Sequence, residues 1–326
     1  MPGQYRIKRR VALLNIAAAE NTIQTVDLPR GYDLESVYFH MSGGGTLSGA
    51  GSAVRAEAPM QLIKRIEIIA DGKNTIASVS GTLLRHGTFN RRGQLGSLVP
   101  PAAATATAQT FSCGFVIDQQ LIDGIRPKDS NLRTSGMQLL QLRITFGAYI
   151  DLFTGSPAGA LSGANTLDIT TSEIVELPDQ DGNISRPLYV LKRTFQDIAV
   201  PATNANQEIN LPVGNFLRSV TIRGEGSATA GEPSDTVVNF VTLRSGVDVR
   251  FSASWGQMVR MNQVDYQIAT RPTGLAIADL MASGQLVGVK GTDAWDLTRA
   301  SECKCVLDVN GYANGKVSLM TTELVQ

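Results

Sequence analysis

The feature that most constrains this chain is an internal repeat. Residues 21–43, NTIQTVDLPRGYDLESVYFHMSG, align without a gap to residues 204–226, NANQEINLPVGNFLRSVTIRGEG, at a constant offset of 183. Asn21/Asn204, Gln24/Gln207, Leu28/Leu211, Pro29/Pro212, Gly31/Gly214, Leu34/Leu217, Ser36/Ser219, Val37/Val220 and Gly43/Gly226 are identical, 9 of 23 positions. Ordinary residue frequencies would give roughly one or two matches. Upstream, Tyr5-Arg6-Ile7-Lys8-Arg9 answers Tyr189-Val190-Leu191-Lys192-Arg193. Downstream, residues 166–176 answer 316–326 through Thr171/Thr321, Glu173/Glu323 and Val175/Val325. The matches are collinear, so the chain is two copies of one unit. The sequence predicts a first domain over 1–177, a linker over 178–188 rich in Pro, Gly, Asp and Asn, and a second domain over 189–326.

Each copy reads as strands. In the first, alternating or β-prone runs recur between turn signals at 9–18, 22–28, 34–42, 61–70, 73–79, 109–117, 137–147 and 166–176. Leu140, Leu142, Ile144 and Phe146 alternate with Gln141, Arg143 and Thr145, which buries one face and wets the other. Ala70-Asp71-Gly72-Lys73 is a hairpin signal, matched by Arg244-Ser245-Gly246-Val247. A short helix is expected near 80–90 and again near 256–268. Eight antiparallel strands per copy, lettered B to I in order, fit an all-β fold of two tandem jelly rolls, with short helices in the F–G connections. The turns after C and E are short and the D–E, F–G and H–I connections are long, so one end of each barrel is compact and the other carries loops.

Composition narrows the partners. Lys plus Arg and Asp plus Glu both number 29, so no global field draws the molecule onto nucleic acid or an anionic membrane. Apolar runs break far short of the roughly 20 residues that a membrane helix needs, and no leader pattern opens the chain, which reads as cytosolic. Cys113, Cys303 and Cys305 read as reduced core residues, because Cys303 and Cys305 sit two apart in one expected strand.

Two tandem barrels, each with an LPxG-type turn after its second strand and a helix in its F–G connection, resemble the double jelly-roll major capsid proteins. These build tailless icosahedral viruses with an internal membrane, of tectivirus and corticovirus type, and are similar to the adenovirus hexon. The resemblance implies a virion protein assembled in the host cytoplasm, forming homotrimers of pseudo-hexagonal outline that meet neighbouring capsomers and minor capsid or penton proteins. It implies no enzyme activity and no cofactor. It also implies an N-terminal segment near the internal membrane. Arg6, Lys8, Arg9 and Arg10 are the lipid- or genome-facing candidates, against which stands their recurrence inside the chain as part of the repeat unit; no specific nucleic-acid binding is expected.

Other patterns favour plainer readings. Asp179, Asp181 and Asn183 begin like a calcium loop, but Ile184 stands where its glycine belongs and Val190 where its glutamate belongs. His40 and His86 are too few for a metal site in each barrel. Ser301-Glu302-Cys303-Lys304 has the serine–lysine spacing of penicillin-recognising enzymes without their companion motifs. Gly43-Gly44-Gly45 and Gly224-Glu225-Gly226 follow strands and lead into no helix, so they read as loop glycines rather than a phosphate cradle. Trp255 and Trp295 could form a sugar platform, the mark of the alternative function, a carbohydrate-binding or spike protein built from two jelly rolls; packing in the core is their plainer role. No spacing of acids singles out a hydrolase pair.

Overall fold

The computed structural model describes residues 4–48, 53–84, 97–102, 107–121, 130–155, 158–176, 187–226, 232–267, 271–281 and 293–326. The chain divides into two compact units, with the described residues through Leu191 in the first and those from Lys192 in the second. Residues 178–186 of the expected linker lie outside the described residues.

Eight principal strands build the first unit: β1 (Gln4–Asn15), β2 (Ile23–Asp27), β3 (Asp33–Leu47), β4 (Ile63–Ala70), β5 (Asn74–Val79), β6 (Gln109–Asp118), β7 (Leu140–Phe146) and β8 (Thr166–Glu176). They form two antiparallel sheets ordered β1-β8-β3-β6 and β2-β7-β4-β5. The second unit has β9 (Val190–Ala199), β10 (Asn204–Asn210), β11 (Phe216–Glu225), β12 (Val238–Ser245), β13 (Asp248–Ser254), β14 (Leu275–Asp279), β15 (Lys304–Val309) and β16 (Lys316–Val325). Its sheets run β9-β16-β11-β14 and β10-β15-β12-β13. Adding eight to each strand of the first order gives the second, so both units are the same jelly roll.

Period-two burial explains the sheets. Along β7, Leu140, Leu142, Ile144 and Phe146 are buried, Gln141 and Thr145 half-buried and Arg143 exposed. Between the second unit's sheets, Val220, Ile222, Val317 and Leu319 meet Val241, Leu243, Cys305 and Leu307 in one core cluster. Each such side chain, withdrawn from water, contributes about 1.5–3 kcal/mol.

The duplicated turn is built alike in both units. Leu28 N–H donates to Leu140 O and Leu211 N–H to Cys303 O, each at 2.8 Å, pinning the turn to the seventh strand. Gly31 and Gly214 then take φ of +113° and +91°, which explains why glycine recurs there. At the first hairpin, Lys73 N–H closes on Ala70 O at 3.2 Å over left-handed Asp71 and Gly72. The second hairpin centres on Gly246 and Val247, since Ser245 pairs with Asp248. That is one residue later than the tetrapeptide match: both hairpins carry the same bulge, at Ile68/Ile69 and at Leu243/Arg244, and the second loop, closed by Ser245 and Asp248, is one residue shorter than the first, closed by Ala70 and Asn74.

Two expectations change. β1 begins at Gln4 rather than residue 9, since its basic residues pair across the sheet instead of ending the strand. The glycine run lies inside β3, not in a loop: Gly43, Gly44 and Gly45 pair with Phe111, Thr110 and Gln109. A Cβ on Gly45 would stand 2.6 Å from the Tyr149 ring, so the strand passes there only without a side chain. The helix expected near 256–268 is Trp255–Asp265, capped by Ser254, whose hydroxyl accepts from Gln257 N–H. Of the helix expected near 80–90, residues 81–84 are helical and the rest lies outside the described residues.

Candidate functional site: charged ladders and a loop clamp

The basic residues singled out from the sequence all lie on β1, an edge strand paired to β8. Arg6 Nη2 donates to Glu35 Oε1 at 2.6 Å, and Ser172 Oγ donates to the other oxygen of Glu35 at 2.7 Å. Arg9 grips Glu173 with Nε at 2.9 Å and with Nη2, and Thr171 Oγ1 donates to the same carboxylate at 2.7 Å. Arg10 Nε meets Asp168 at 3.0 Å, and the Lys8 ammonium stands 5.4 Å over the Tyr38 ring. The hydrogen bond to Glu173 outweighs partial burial and raises the Arg9 pKa further. Every one of the four cations therefore has a partner in its own unit.

The repeat extends to chemistry. Glu323, the twin of Glu173, is buried on β16 and accepts Thr321 Oγ1 at 3.3 Å, as Glu173 accepts Thr171. Asn215 Nδ2 adds a bond at 2.7 Å. A buried carboxylate is costly unless its lone pairs are filled, so these donors accompany it in both units.

One constellation escapes sequence inspection. Asp235, in the connection between β11 and β12, accepts Trp255 Nε1 at 3.0 Å, both Arg271 terminal nitrogens at 2.8 and 2.7 Å, and Gly274 N–H at 2.9 Å. Burial pushes its carboxyl pKa up, but the bonds from Arg271, Trp255 and Gly274 prevail and hold it below the ordinary carboxylate range. The clamp ties the loop before β12 to the segment entering β14. Its members are scattered over 40 positions, from 235 to 274, with no spacing that marks them.

The remaining candidates resolve individually. Trp255 and Trp295 are buried, so neither offers a flat face to a sugar. Lys304 Nζ is held by Glu208 at 2.8 Å, which occupies the amine that a serine–lysine mechanism would use. Burial pushes the Cys303 thiol up to about 12, and burial followed by the neighbouring Cys303 raises Cys305 as well. His40 is exposed on β3, while His86 and the 179–183 acidic run lie outside the described residues. Among the described residues, no group of three His, Cys, Asp or Glu side chains is placed to hold a metal ion.

No family model matches the sequence, and no curated protein matches it. Solved structures match along nearly its whole length. The crystal structure of the major capsid protein of STIV, Sulfolobus Turreted Icosahedral Virus, covers 99% of this chain and 97% of its own, with TM-score 0.71 at 17% identity. The chain has the double jelly-roll fold. The major capsid protein P2 of bacteriophage PM2 matches over 98% of this chain and 97% of its own, with TM-score 0.61 at 12% identity. The Faustovirus major capsid protein matches over 100% and 90%, with TM-score 0.61 at 8% identity. What these proteins share with the chain is the fold rather than the residues.

Proposed function

We propose that the chain is a viral major capsid protein that assembles as pseudo-hexagonal trimers into an icosahedral shell. The observation carrying this is the pair of complete jelly rolls in tandem, matched from end to end by capsid proteins of viruses as different as STIV, PM2 and Faustovirus. The physics agrees. A barrel duplicated within one chain gives a threefold assembly six near-equivalent faces, and six faces tile a hexagonal lattice. Recognition is then a matter of surfaces, so the role calls for no cofactor or reacting group.

On this reading the protein resides in the virion after assembly in the host cytoplasm, and its partners are its own copies, neighbouring capsomers and minor capsid or penton proteins. Contact of Met1–Arg10 with an internal membrane is the finer part of the proposal. The ion pairs of Arg6, Arg9 and Arg10 support a structural role for that strand first. Deleting residues 1–10 and measuring liposome flotation tests the membrane contact; unchanged flotation removes it. Size-exclusion chromatography with light scattering tests the assembly. The expected mass is three times 34.8 kDa, and a monomer at every concentration rejects the reading.

A further inference from the structure

The helix Trp255–Asp265 meets a carboxylate at each end, and the two ends answer protons in opposite senses. Its first residue hangs on Asp235 through the Trp255 indole. Its last turn is pinned to β14 twice. Buried Asn262 fills both sides of its amide with the Ile277 backbone: Nδ2 donates to Ile277 O and Oδ1 accepts Ile277 N–H, each at 2.7 Å. Tyr266, the residue that caps the helix, donates its hydroxyl to Asp279, whose other oxygen accepts Met281 N–H at 2.9 Å.

Asp265 lies between these pins and goes against local physics in three ways. It is the last helical residue, with no basic side chain in its turn, so its charge meets the negative end of the helix dipole. It is half-buried, and among the described residues neither a hydrogen bond nor a cation serves its carboxylate. The charge that does act on it is Asp279, a like charge and the acceptor on which the neighbouring Tyr266 depends. Arg218 of β11, itself buried, stands 3.9 Å from Asp279 and answers that carboxylate rather than Asp265. Of the other strands packed against the helix, β12 and β13 carry Arg244, Asp248 and Arg250, none of which acts on Asp265. Burial, and after it Asp279, hold the Asp265 carboxyl pKa above the ordinary carboxylate range.

We infer that Asp265 is a proton-operated latch: ionised, it pushes the helix end away from Asp279 and loosens the last turn, and protonated, it lets that turn close on β14. The sign follows from linkage. With the folded value above the unfolded one of about 3.9, the ionised group costs stability at every pH above the folded value, and the cost disappears as pH falls through it. Asp235, shifted the other way, keeps its grip down to about pH 4. Mild acid is therefore the condition in which the helix is held at both ends. The latch lies within the second unit and draws nothing from the capsid reading, so each stands or falls alone.

Hydrogen–deuterium exchange of the whole protein, expressed as protection factors so that the intrinsic pH dependence is removed, tests it on Asp265→Asn. That variant keeps the shape of the side chain, removes its charge and breaks no bond. In wild type, protection over residues 262–267, where Tyr266 N–H donates to Asn262 O at 3.0 Å, should rise about threefold to tenfold from about pH 7.5 to about pH 4.5. D265N should already show the higher protection at the upper pH and change little on acidification. Asp265→Ala should behave as D265N does, because charge and not bonding is what is relieved. Protection in β15 should be the same in all three proteins. Wild-type protection that stays flat, a D265N that follows wild type at both pH values, or a change spread equally over β15 would each overturn the inference.

Discussion

Replacing Asp235 removes the acceptor at the centre of the loop clamp, and the structure sets the size of the effect. Trp255 is buried, and its indole N–H has Asp235 as its partner; Gly274 N–H donates to the same oxygen. Asp235→Ala orphans both donors, at about 1–1.5 kcal/mol each for partly buried groups. The ion pair adds little, because the Arg271 and Asp235 side chains are 33% and 29% exposed and screened by water, so about 0.5 kcal/mol is appropriate. The expected loss is about 3 kcal/mol. Asp235→Asn keeps an acceptor oxygen and should lose about 1 kcal/mol. Urea unfolding followed by tryptophan fluorescence measures both, since Trp255 sits in the clamp. The sign of the pH effect follows from the lowered carboxyl pKa. The folded value lies below the unfolded one of about 3.9, so the stabilisation is complete above about pH 4 and disappears as pH falls through the folded value. D235N should lack that acid-side loss relative to wild type. Equal stabilities for D235A and D235N, or a D235A within about 0.5 kcal/mol of wild type, would refute the reasoning.

Other outcomes follow from the same geometry. Gly226→Ala places a methyl against the Val237 side chain and the Tyr312 ring and should cost about 1–3 kcal/mol in denaturant melts. Gly31→Ala meets open space and pays only for its positive φ, about 1 kcal/mol. Iodoacetamide at pH 8 should leave Cys113, Cys303 and Cys305 unlabelled in the folded protein and label all three in urea, as mass spectrometry would show; their burial and the raised pKa values of Cys303 and Cys305 withhold the thiolate. Arg9→Ala should destabilise by about 1–3 kcal/mol in the same melts, since Glu173 stays buried without its main donor.

The sequence made the strands legible because both their signals are local. Alternation in β7 and the LPxG turn each need only a few consecutive residues, and the repeat let one copy check the other. What escaped depends on partners distant in sequence. The repeat marked Arg6, Lys8, Arg9 and Arg10 as part of the unit but left a lipid- or genome-facing arm open beside that reading, because the partners Glu35, Asp168 and Glu173 lie 29 to 164 positions away. Three glycines read as a loop because nothing local reveals that the Tyr149 ring crowds the third. The Asp235 clamp joins residues that only the fold brings together. Each miss marks tertiary packing overruling a local preference.

The shell-building account is tested most directly by electron microscopy of the purified, concentrated protein. It predicts particles of pseudo-hexagonal outline, each with three copies of the chain and six barrels, that pack into sheets or closed shells. A field of separate two-barrel particles that never associate would contradict it.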